Sequence, residues 1–457
     1  MIGGGPAGYA TALRAGTAGL TVAIVEKDKV GGTCLHRGCI PAKDFLETAA
    51  VYRAVLSASE FGVSIDAPSL DFTRAQARKQ NVVDHLWAGL QALLNRRAVT
   101  TFIGVGTLGA DHLVTIDGDT EVLGKHIILA PGSVPHRIPG FEVDGKLVMT
   151  SDELLDLDGL PSSTLVIGGG AIGCEFASML SDLGCNVTVI EALDKILPGC
   201  DQEVADVVRR SFTRRGITVR TGTTVTGHTP SGDGRSTTVQ FGEGEQITVE
   251  SVVVSVGRRP LSEGLGLAGT RVKLDKRGFV VVDQYMRSGE PGVFAAGDLV
   301  DTPALAHVGF AEAVLIVDQI LGQSVTPVDY TKVPWCIYSH PEVAFVGLSE
   351  QAALDAGYAV VTKKDPFSGN GRGLIIGNAE GFVKVICERQ ADGTAGRILG
   401  VHMVGPWVTE LIGAGYLAVN WEATAWDVAQ YIQPHPSLSE TFGEAMLAIS
   451  GRGIHVA

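Results

Sequence analysis

The sequence lacks the features that mark secreted, membrane-spanning and nucleic-acid-binding proteins. Its seven cysteines are an odd number at irregular spacing, without a Cys-x2-Cys pair, so neither a disulfide framework nor a zinc site is predicted. No apolar run reaches the roughly 20 residues that a membrane-spanning helix needs. The net charge is −14 and no basic run is present, which argues against nucleic acid and anionic membranes as partners. We expect a cytoplasmic protein in a reducing compartment.

The composition is that of a large globular chain. It has 457 residues, of which 45% are hydrophobic and 19% charged, which is enough to bury several cores and predicts two to four domains. Its 59 glycines follow no collagen-like period. We therefore expect them in turns and in loops that bind nucleotides.

Two segments share one pattern, in which a glycine-rich turn leads into a helix and then into a strand that ends on an acid. The turns are Gly3–Gly8 and Gly168–Gly173, and the strands end at Glu26 and Glu191, each 18 residues after the last glycine. Such glycines let a backbone approach a pyrophosphate at a helix N-terminus, and the acid binds a ribose hydroxyl. The repetition predicts two dinucleotide sites in an α/β fold.

The first of these units has a very short leading strand. Only Met1 and Ile2 precede its glycines, whereas a strand usually has about five residues. A central strand of the first sheet is therefore predicted to be mostly missing, and we expect the true start of the chain to lie upstream of Met1.

Two cysteines, Cys34 and Cys39, are separated by four residues in a run from Gly31 to Lys43 that lies between the two glycine turns. A dithiol beside a flavin can exchange electrons with a nicotinamide. The alternative is a pair of reduced structural cysteines.

The remaining pattern divides the chain further. Residues 44–100 are predicted to be helical, and residues 101–131 and 217–257 to be rich in strands. From about residue 333 the pattern is α+β. There we expect strands around 343–346, 382–387 and 398–404, and helices around 408–419 and 438–449.

Several motifs together resemble those of the pyridine nucleotide–disulfide oxidoreductases, and among these the dihydrolipoamide dehydrogenase branch. They are Gly-Gly-Thr-Cys-x4-Cys-Ile-Pro-x-Lys at 31–43, the two glycine turns, Gly297-Asp298, Leu305-Ala306-His307, and His-Pro-x-x-Ser-Glu at 435–440. The resemblance implies an α/β fold with two Rossmann-like FAD/NAD(P)-binding domains and a C-terminal α+β dimerisation domain. The implied boundaries are 1–148 (FAD, first part), 149–262 (NAD), 263–332 (FAD/central, second part) and 333–457 (dimerisation).

The resemblance also implies catalytic roles. Cys34 and Cys39 would form a redox-active disulfide, with Cys34 as the interchange thiol and Cys39 as the thiol beside the flavin. Lys43 and Glu175 would pair near the flavin. His435 would be the acid–base, oriented by Glu440, and would act in the active site of the other subunit of a homodimer. His340, which also precedes proline, is expected to be structural.

Cofactor contacts are implied in the same way. FAD would contact Gly3, Gly5, Gly8, Glu26, Thr33, Lys43, Gly106, Asp298 and Ala306. NAD would contact Gly168, Gly170, Gly173, Glu191, Val225 and Gly257. The Glu191 carboxylate favours NAD because it would repel a 2′-phosphate.

The expected activity is oxidation of protein-bound dihydrolipoamide by NAD⁺. Expected partners are lipoyl domains of 2-oxo acid dehydrogenase complexes or the lipoyl protein of glycine cleavage. Two alternatives remain open, an NAD(P)H-dependent reductase of low-molecular-weight disulfides and an inactive scaffold paralogue. The sequence departs from the commoner family pattern at His36-Arg37, Pro131 and Leu261, which leaves substrate affinity and redox poise open.

Overall fold

The structure, a computed structural model, describes residues 1–455. Its first third holds four helices and seven strands. These elements are α1 (Pro6–Thr17), β1 (Ala23–Glu26), α2 (Gly32–Arg37), α3 (Cys39–Leu56), α4 (Phe72–Arg96), β2 (Thr100–Ile103), β3 (Gly106–Leu108), β4 (Leu113–Ile116), β5 (Thr120–Leu123), β6 (Ile127–Leu129) and β7 (Ser133–Pro135).

The middle of the chain repeats the alternation of strands and helices. Its elements are β8 (Val148–Met149), α5 (Ser151–Leu154), β9 (Ser163–Ile167), α6 (Ala171–Asp182), β10 (Asn186–Ile190), α7 (Gln202–Arg214), β11 (Thr218–Arg220), β12 (Val225–Pro230), β13 (Thr237–Phe241), β14 (Glu245–Val249), β15 (Ser251–Val254), β16 (Arg258–Pro260), β17 (Val293–Ala295) and α8 (Ala306–Ile320).

The last part is α+β, as the pattern from residue 333 predicts. Its elements are β18 (Trp335–Ile337), β19 (Glu342–Gly347), α9 (Glu350–Asp355), β20 (Val360–Pro366), α10 (Gly371–Ile375), β21 (Phe382–Arg389), β22 (Ala395–Gly405), α11 (Val408–Asn420), α12 (Ala425–Val428) and α13 (Glu440–Ile449). The strands and helices expected here from the sequence are confirmed within a few residues.

The first parallel sheet has its central strand reduced to one residue, in agreement with the short run before the first glycines. Ile2 bridges Val25 of β1 on one side and Leu129 of β6 on the other. Strands β2 and β17 complete the sheet on the outer sides of β1 and β6. Ile2 is only 4% exposed, so the sheet is continuous and buried at this point.

The second parallel sheet is complete, with strand order β11-β10-β9-β15-β8. Each parallel sheet is accompanied by a three-stranded antiparallel sheet, β3-β4-β5 for the first and β12-β13-β14 for the second. Strands β7 and β16 pair antiparallel where the chain crosses between the two units. The two glycine turns therefore stand in equivalent positions, each before a helix at the end of a central strand.

The C-terminal sheet, of order β18-β19-β22-β21-β20, is antiparallel and is packed by α11 and α13. A buried ion pair joins it to the second unit, since Lys384 on β21 lies 3.1 Å from the Asp201 carboxylate that caps α7. Both side chains are less than 5% exposed. Within residues 1–455, no helix combines the length and the apolar character needed to cross a bilayer.

Candidate active site

The first glycine turn is shaped by close backbone contacts. Gly3 has φ +103°, and a Cβ there would lie 2.2 Å from the Ala130 carbonyl oxygen. A Cβ at Gly8 would lie 2.0 Å from the carbonyl oxygen of Gly3, whereas Gly5 has open space around its Cα. The turn thus needs glycine at its ends to fold and presents an open face at its centre, at the N-terminus of α1. A pyrophosphate fits this chemistry, because N–H groups and the helix dipole favour anions.

The second glycine turn has the same construction. Gly168 has φ +105°, and a Cβ there would lie 2.5 Å from the Ser255 carbonyl oxygen. A Cβ at Gly173 would lie 1.9 Å from the carbonyl oxygen of Gly168, and Gly170 again faces open space. The structure therefore contains two candidate dinucleotide sites of the same construction. We call the turn at Gly3–Gly8 the first cradle and the turn at Gly168–Gly173 the second cradle.

The acid at the end of each strand reaches back to the glycine turn. Glu26 accepts a hydrogen bond from the Gly4 N–H at 2.7 Å, and Glu191 accepts one from the Gly169 N–H at 2.6 Å. A carboxylate has about four lone-pair sites, so each acid can fix its turn and still accept ribose hydroxyls.

The two cysteines of the expected redox pair lie on two consecutive helices beside the first cradle. Helix α2 carries Cys34, and α3 begins at Cys39. The segment is pressed against the first turn, since a Cβ at Gly32 would lie 2.6 Å from the Gly5 Cα. Both cysteines are free thiols in this structure and they hydrogen-bond to each other. The two sulfurs therefore lie within reach of each other, as a redox pair requires.

The two thiols are electrostatically unequal. The hydrogen bond with Cys34 lowers the pKa of Cys39 to about 7, with burial opposing and the Lys43 charge assisting. The same hydrogen bond, together with burial, raises the pKa of Cys34. Cys39 also occupies the N-terminus of the 18-residue helix α3, where the dipole favours a thiolate. The electrostatics thus favour the thiolate form at Cys39 over Cys34.

The expected ion pair between Lys43 and Glu175 is present. Lys43 Nζ lies 2.9 and 2.7 Å from the two carboxylate oxygens of Glu175, which follows the second glycine turn on α6. Burial alone would lower the pKa of Lys43, but the charge and the hydrogen bonds of Glu175, with smaller contributions from Cys39 and Tyr338, together raise that pKa. The pair joins the cysteine-bearing helix to the second unit.

Tyr338, which the sequence analysis did not identify, contacts both members of this pair. The Tyr338 backbone N–H donates to Glu175 at 2.9 Å, and Lys43 Nζ lies 5.0 Å from the centroid of the Tyr338 ring. A lone tyrosine in a strand-rich segment carries no pattern that points to such a contact.

The expected histidine–glutamate pair lies on the loop before α13. His435 Nδ1 is 2.8 Å from Glu440 Oε1, and the Ser437 N–H donates to the other carboxylate oxygen at 2.7 Å. Burial would raise the pKa of Glu440, but these two hydrogen bonds lower it. The His435 side chain is 78% exposed. Within residues 1–455, none of the hydrogen bonds or charge interactions of the two cysteines involves His435.

The carboxylate of Asp298 lies in a polar cluster near the first cradle. The Ser133 hydroxyl donates to Asp298 Oδ2 at 2.5 Å, and Arg258 Nε donates to the same hydroxyl at 2.7 Å. Ala306, another expected contact, is the first residue of α8, where helix N–H groups have no intrahelical partner. Helix α8 packs against α1, because a Cβ at Gly309 would lie 3.2 Å from the Ala7 Cβ.

The other expected contacts surround the two cradles. Thr33 is exposed in the first turn of α2, and Gly106 is buried at the start of β3. Val225 begins β12, and Gly257 has φ +100° just before β16. The expected contact residues thus lie in the same two units as the glycine turns.

Comparisons with known proteins agree with this geometry. The family model described as pyridine nucleotide-disulphide oxidoreductase matches residues 1–313, and the dimerisation domain of the same family matches residues 333–446. This chain belongs to that family. The dihydrolipoyl dehydrogenase of Bacillus subtilis is 42% identical over all of this chain and 98% of its own length. A dihydrolipoamide dehydrogenase of Chaetomium thermophilum is 38% identical over all of this chain and 91% of its own.

A solved member of similar fold is LpdA from Mycobacterium tuberculosis. It superposes with a TM-score of 0.91 at 28% sequence identity, and the match covers 98% of each chain. The expected fold class, with two dinucleotide-binding units and a dimerisation domain, is thereby confirmed.

The unusual His36-Arg37 pair of this family member turns away from the dithiol. His36 Nε2 lies 3.1 Å from the Val30 carbonyl oxygen and its ring meets the Trp87 ring edge-on, while Arg37 forms an ion pair with Asp28. These contacts anchor α2 to the rest of the first unit.

The other two departures lie at backbone positions. The Leu261 N–H donates to the Gly132 carbonyl at 2.9 Å, a bond that any non-proline residue can make. Pro131 lies against Gly3, where a Cβ on Gly3 would be 2.8 Å from the Pro131 Cα.

His340 is structural in this family member. Its N–H donates to Ser178 at 2.8 Å and its carbonyl accepts from Arg215. Burial lowers the pKa of His340 to about 3, so the ring is neutral.

Glu312 is a second residue that sequence reasoning missed. It is fully buried on α8 and accepts hydrogen bonds from the Gly297 N–H at 2.6 Å, Thr302 at 2.8 Å and Tyr330 at 3.0 Å. Burial raises its pKa. The available signal was an isolated acid in the apolar run of α8.

Proposed function

We propose that this chain is an FAD-containing dihydrolipoyl dehydrogenase that oxidises dihydrolipoamide with NAD⁺. The observation that carries the proposal is the hydrogen-bonded pair of Cys34 and Cys39 at the N-terminus of α3, next to the first dinucleotide cradle. The Lys43–Glu175 ion pair then connects this dithiol to the helix that leaves the second cradle.

We assign the first cradle to FAD and the second to NAD. Bound FAD supplies the two-electron redox chemistry that links the dithiol to NAD⁺. Glu26 and Asp298 are the candidate acceptors for sugar and ribityl hydroxyls, and the N-terminus of α8 adds N–H donors. Glu191 suits the ribose 2′-hydroxyl of NAD and disfavours a 2′-phosphate.

The dithiol carries the sulfur chemistry. In the oxidised enzyme, a dihydrolipoamide thiolate attacks Cys34, the Cys34–Cys39 bond breaks, and Cys39 leaves as a thiolate. The second substrate thiol then displaces Cys34 from the mixed disulfide and completes lipoamide. We assign His435, oriented by Glu440, to accept the substrate proton. Overall, two electrons and one proton reduce NAD⁺ to NADH, and one proton is released.

The enzyme is a homodimer, in keeping with the dimerisation domain over residues 333–446. We propose that His435 serves the dithiol of the other subunit, because it is exposed and lies in the dimerisation domain of its own chain. We also propose the domain boundaries 1–148, 149–262, 263–332 and 333–457.

The proposed partners are lipoyl domains of 2-oxo acid dehydrogenase complexes or the lipoyl protein of glycine cleavage. A swinging lipoyl arm would bring its dithiol to the dimer, and the acidic chain offers no basic run for nucleic acid. The proposed compartment is the cytoplasm.

A direct test compares steady-state rates for dihydrolipoamide with NAD⁺ and with NADP⁺, and for glutathione disulfide or mycothione with NADPH. We expect fast reduction of NAD⁺ by dihydrolipoamide and little activity in the other pairs. Preference for NADPH and a small disulfide would replace the proposal with the disulfide reductase alternative. Absence of flavin and of every activity would favour a scaffold.

A further inference from the structure

Arg258 lies where the chain crosses between the two dinucleotide units. It opens β16, directly after Gly257, and β16 pairs antiparallel with β7 from the first unit. Its side chain is 17% exposed and turns towards the first unit. A residue next to the proposed NAD site thereby makes its polar contacts at the proposed FAD site.

Three hydrogen bonds connect Arg258, Ser133 and Asp298, and two of them link the guanidinium to the carboxylate through the Ser133 hydroxyl. Arg258 Nε donates to the Ser133 hydroxyl oxygen at 2.7 Å, and Arg258 Nη2 donates to the Ser133 carbonyl at 2.8 Å. The Ser133 hydroxyl donates in turn to Asp298 Oδ2 at 2.5 Å. Because the hydroxyl oxygen accepts from arginine, its single hydrogen is directed at the carboxylate.

Charge supports the same arrangement. The Arg258 Nε lies 3.9 Å from Asp298 Oδ2, which is ion-pair distance. A second carboxylate, the fully buried Glu312, holds the Gly297 N–H just before Asp298 and interacts unfavourably with it. The arginine therefore offsets negative charge at a turn where two acids meet. Arg258 Nε and the Ser133 hydroxyl both approach Oδ2 of Asp298, so Oδ1 is the candidate acceptor for a ligand.

We propose that Arg258 is a positioning residue for FAD, acting through Ser133 to orient the Asp298 carboxylate towards a flavin ribityl hydroxyl. The inference rests on the proposed function in one respect, that FAD occupies the first cradle. It assigns the arginine to the flavin side of the enzyme, although its neighbour Gly257 is assigned to NAD.

The test measures the FAD dissociation constant of the homodimer after Arg258→Met, with Arg259→Met as the matched control. Arg259 is the adjacent arginine, is 40% exposed, and pairs with Glu263 at 3.6 Å. We expect Arg258→Met to weaken FAD binding by about 10- to 100-fold, as for loss of charged hydrogen bonds. Arg259→Met should bind FAD like the unmodified enzyme.

A conservative variant and a double variant distinguish a positioning role of Arg258 from a role in folding. Arg258→Lys keeps the charge but loses the two-point contact, so it should restore part of the FAD affinity. Ser133→Ala should weaken FAD by a similar factor, and the double variant should lose little more, because both act on one carboxylate. Excess FAD should restore kcat in Arg258→Met with the KM for NAD⁺ unchanged. Thermal unfolding of the apoenzyme should match that of Arg259→Met.

Each contrary result has a definite meaning. Unchanged FAD affinity in Arg258→Met, or a raised KM for NAD⁺ instead, overturns the assignment. A Met variant that fails to fold leaves Arg258→Lys and Ser133→Ala to decide, and normal FAD affinity in both also overturns it. An unmodified enzyme that binds no FAD contradicts the proposed function itself, whichever way the variants behave.

Discussion

The two glycine turns have nearly the same backbone conformation but different surroundings. Gly3 and Gly168 share φ values within 2° of each other, +103° and +105°, and in each turn the last glycine packs on the first. In each, a later N–H donates at 2.8 Å to the second glycine's carbonyl, from Gly31 in the first unit and Leu197 in the second. The loop itself therefore does not determine what each unit does.

The surroundings do differ. After Gly31 the first unit continues directly into α2 and the redox cysteines, and α8 covers its helix. The second unit continues into α7, and its helix α6 instead carries Glu175 across to Lys43. The two units therefore differ in what lies beside the turn: the cysteine-bearing helices and α8 at the first, and the Glu175 carboxylate on α6 at the second.

The largest expected effect is on the reaction with dihydrolipoamide and should leave the two nucleotide sites unaffected. His435→Ala removes a general base, so dihydrolipoamide turnover should fall by about 10²–10⁴-fold. Reduction of the enzyme by NADH should be unchanged because it needs neither His435 nor lipoamide. His455→Ala is the control, since His455 is 77% exposed and makes the same kind of pair with Glu444 at 2.9 Å. Equal losses in both variants would remove His435 from the mechanism.

A second pair of variants breaks each cradle in turn. Gly8→Ala and Gly173→Ala each place a Cβ about 2 Å from a backbone oxygen. We expect Gly8→Ala to weaken FAD binding by about 10- to 100-fold, as overpacking costs suggest. Gly173→Ala should retain FAD and reaction with dihydrolipoamide but reduce NAD⁺ about 10- to 100-fold more slowly, as overpacking costs suggest.

Flavin absorbance and stopped-flow rates measure both results. Gly89→Ala, at an exposed helical position with nothing within 4 Å, should behave like the unmodified enzyme. Loss of FAD from Gly173→Ala, with FAD kept by Gly8→Ala, would reverse the assignment of the cradles.

The two strand-end acids sharpen the comparison further. Glu191→Gln should raise the KM for NAD⁺ by about 10-fold, because a charged hydrogen bond to the ribose becomes neutral. Its affinity for FAD should not change. Glu26→Gln should show the opposite pattern, with a lower affinity for FAD and a normal KM for NAD⁺. If both variants changed the same one of these two quantities, the two acids would not serve separate sites.

The smallest expected effect is a shift in thiol titration. In the reduced enzyme, alkylation of Cys39 should rise as pH passes about 7 and level off above it, because the thiolate is the reactive form. Cys34→Ala should raise this pKa most, since its hydrogen bond is the main cause of the lowering. Lys43→Met should raise it less. A downward shift in either variant would contradict the electrostatic account.

Much of this site could be predicted from the sequence because local spacing encodes it. The glycine turns and the acid 18 residues later lie within short stretches of chain, and the family motif at 435–440 implied the pairing of His435 with Glu440. Even the Lys43–Glu175 pair, 132 residues apart, was expected, but only from the family motifs.

What the sequence could not predict depends on packing between distant segments. Arg258, Ser133 and Asp298 meet only because β16 and β7 cross between the units. Glu312 resembles a misplaced charge on an apolar helix until α8 is packed against the Gly297 turn. Which side chains meet at such a junction depends on the packing of segments that are distant in the chain, and the spacing of residues in the sequence does not encode it.

The central claim is that Cys34 and Cys39 carry the electrons between the dithiol substrate and the FAD site. It is tested most directly by alkylating the FAD-loaded enzyme under anaerobic conditions, before and after adding NADH, and mapping the modified peptides. We expect both cysteines to be protected before NADH and both to be labelled after it, with the other five unchanged. Labelling that does not depend on NADH, or that appears at other cysteines, would contradict the account.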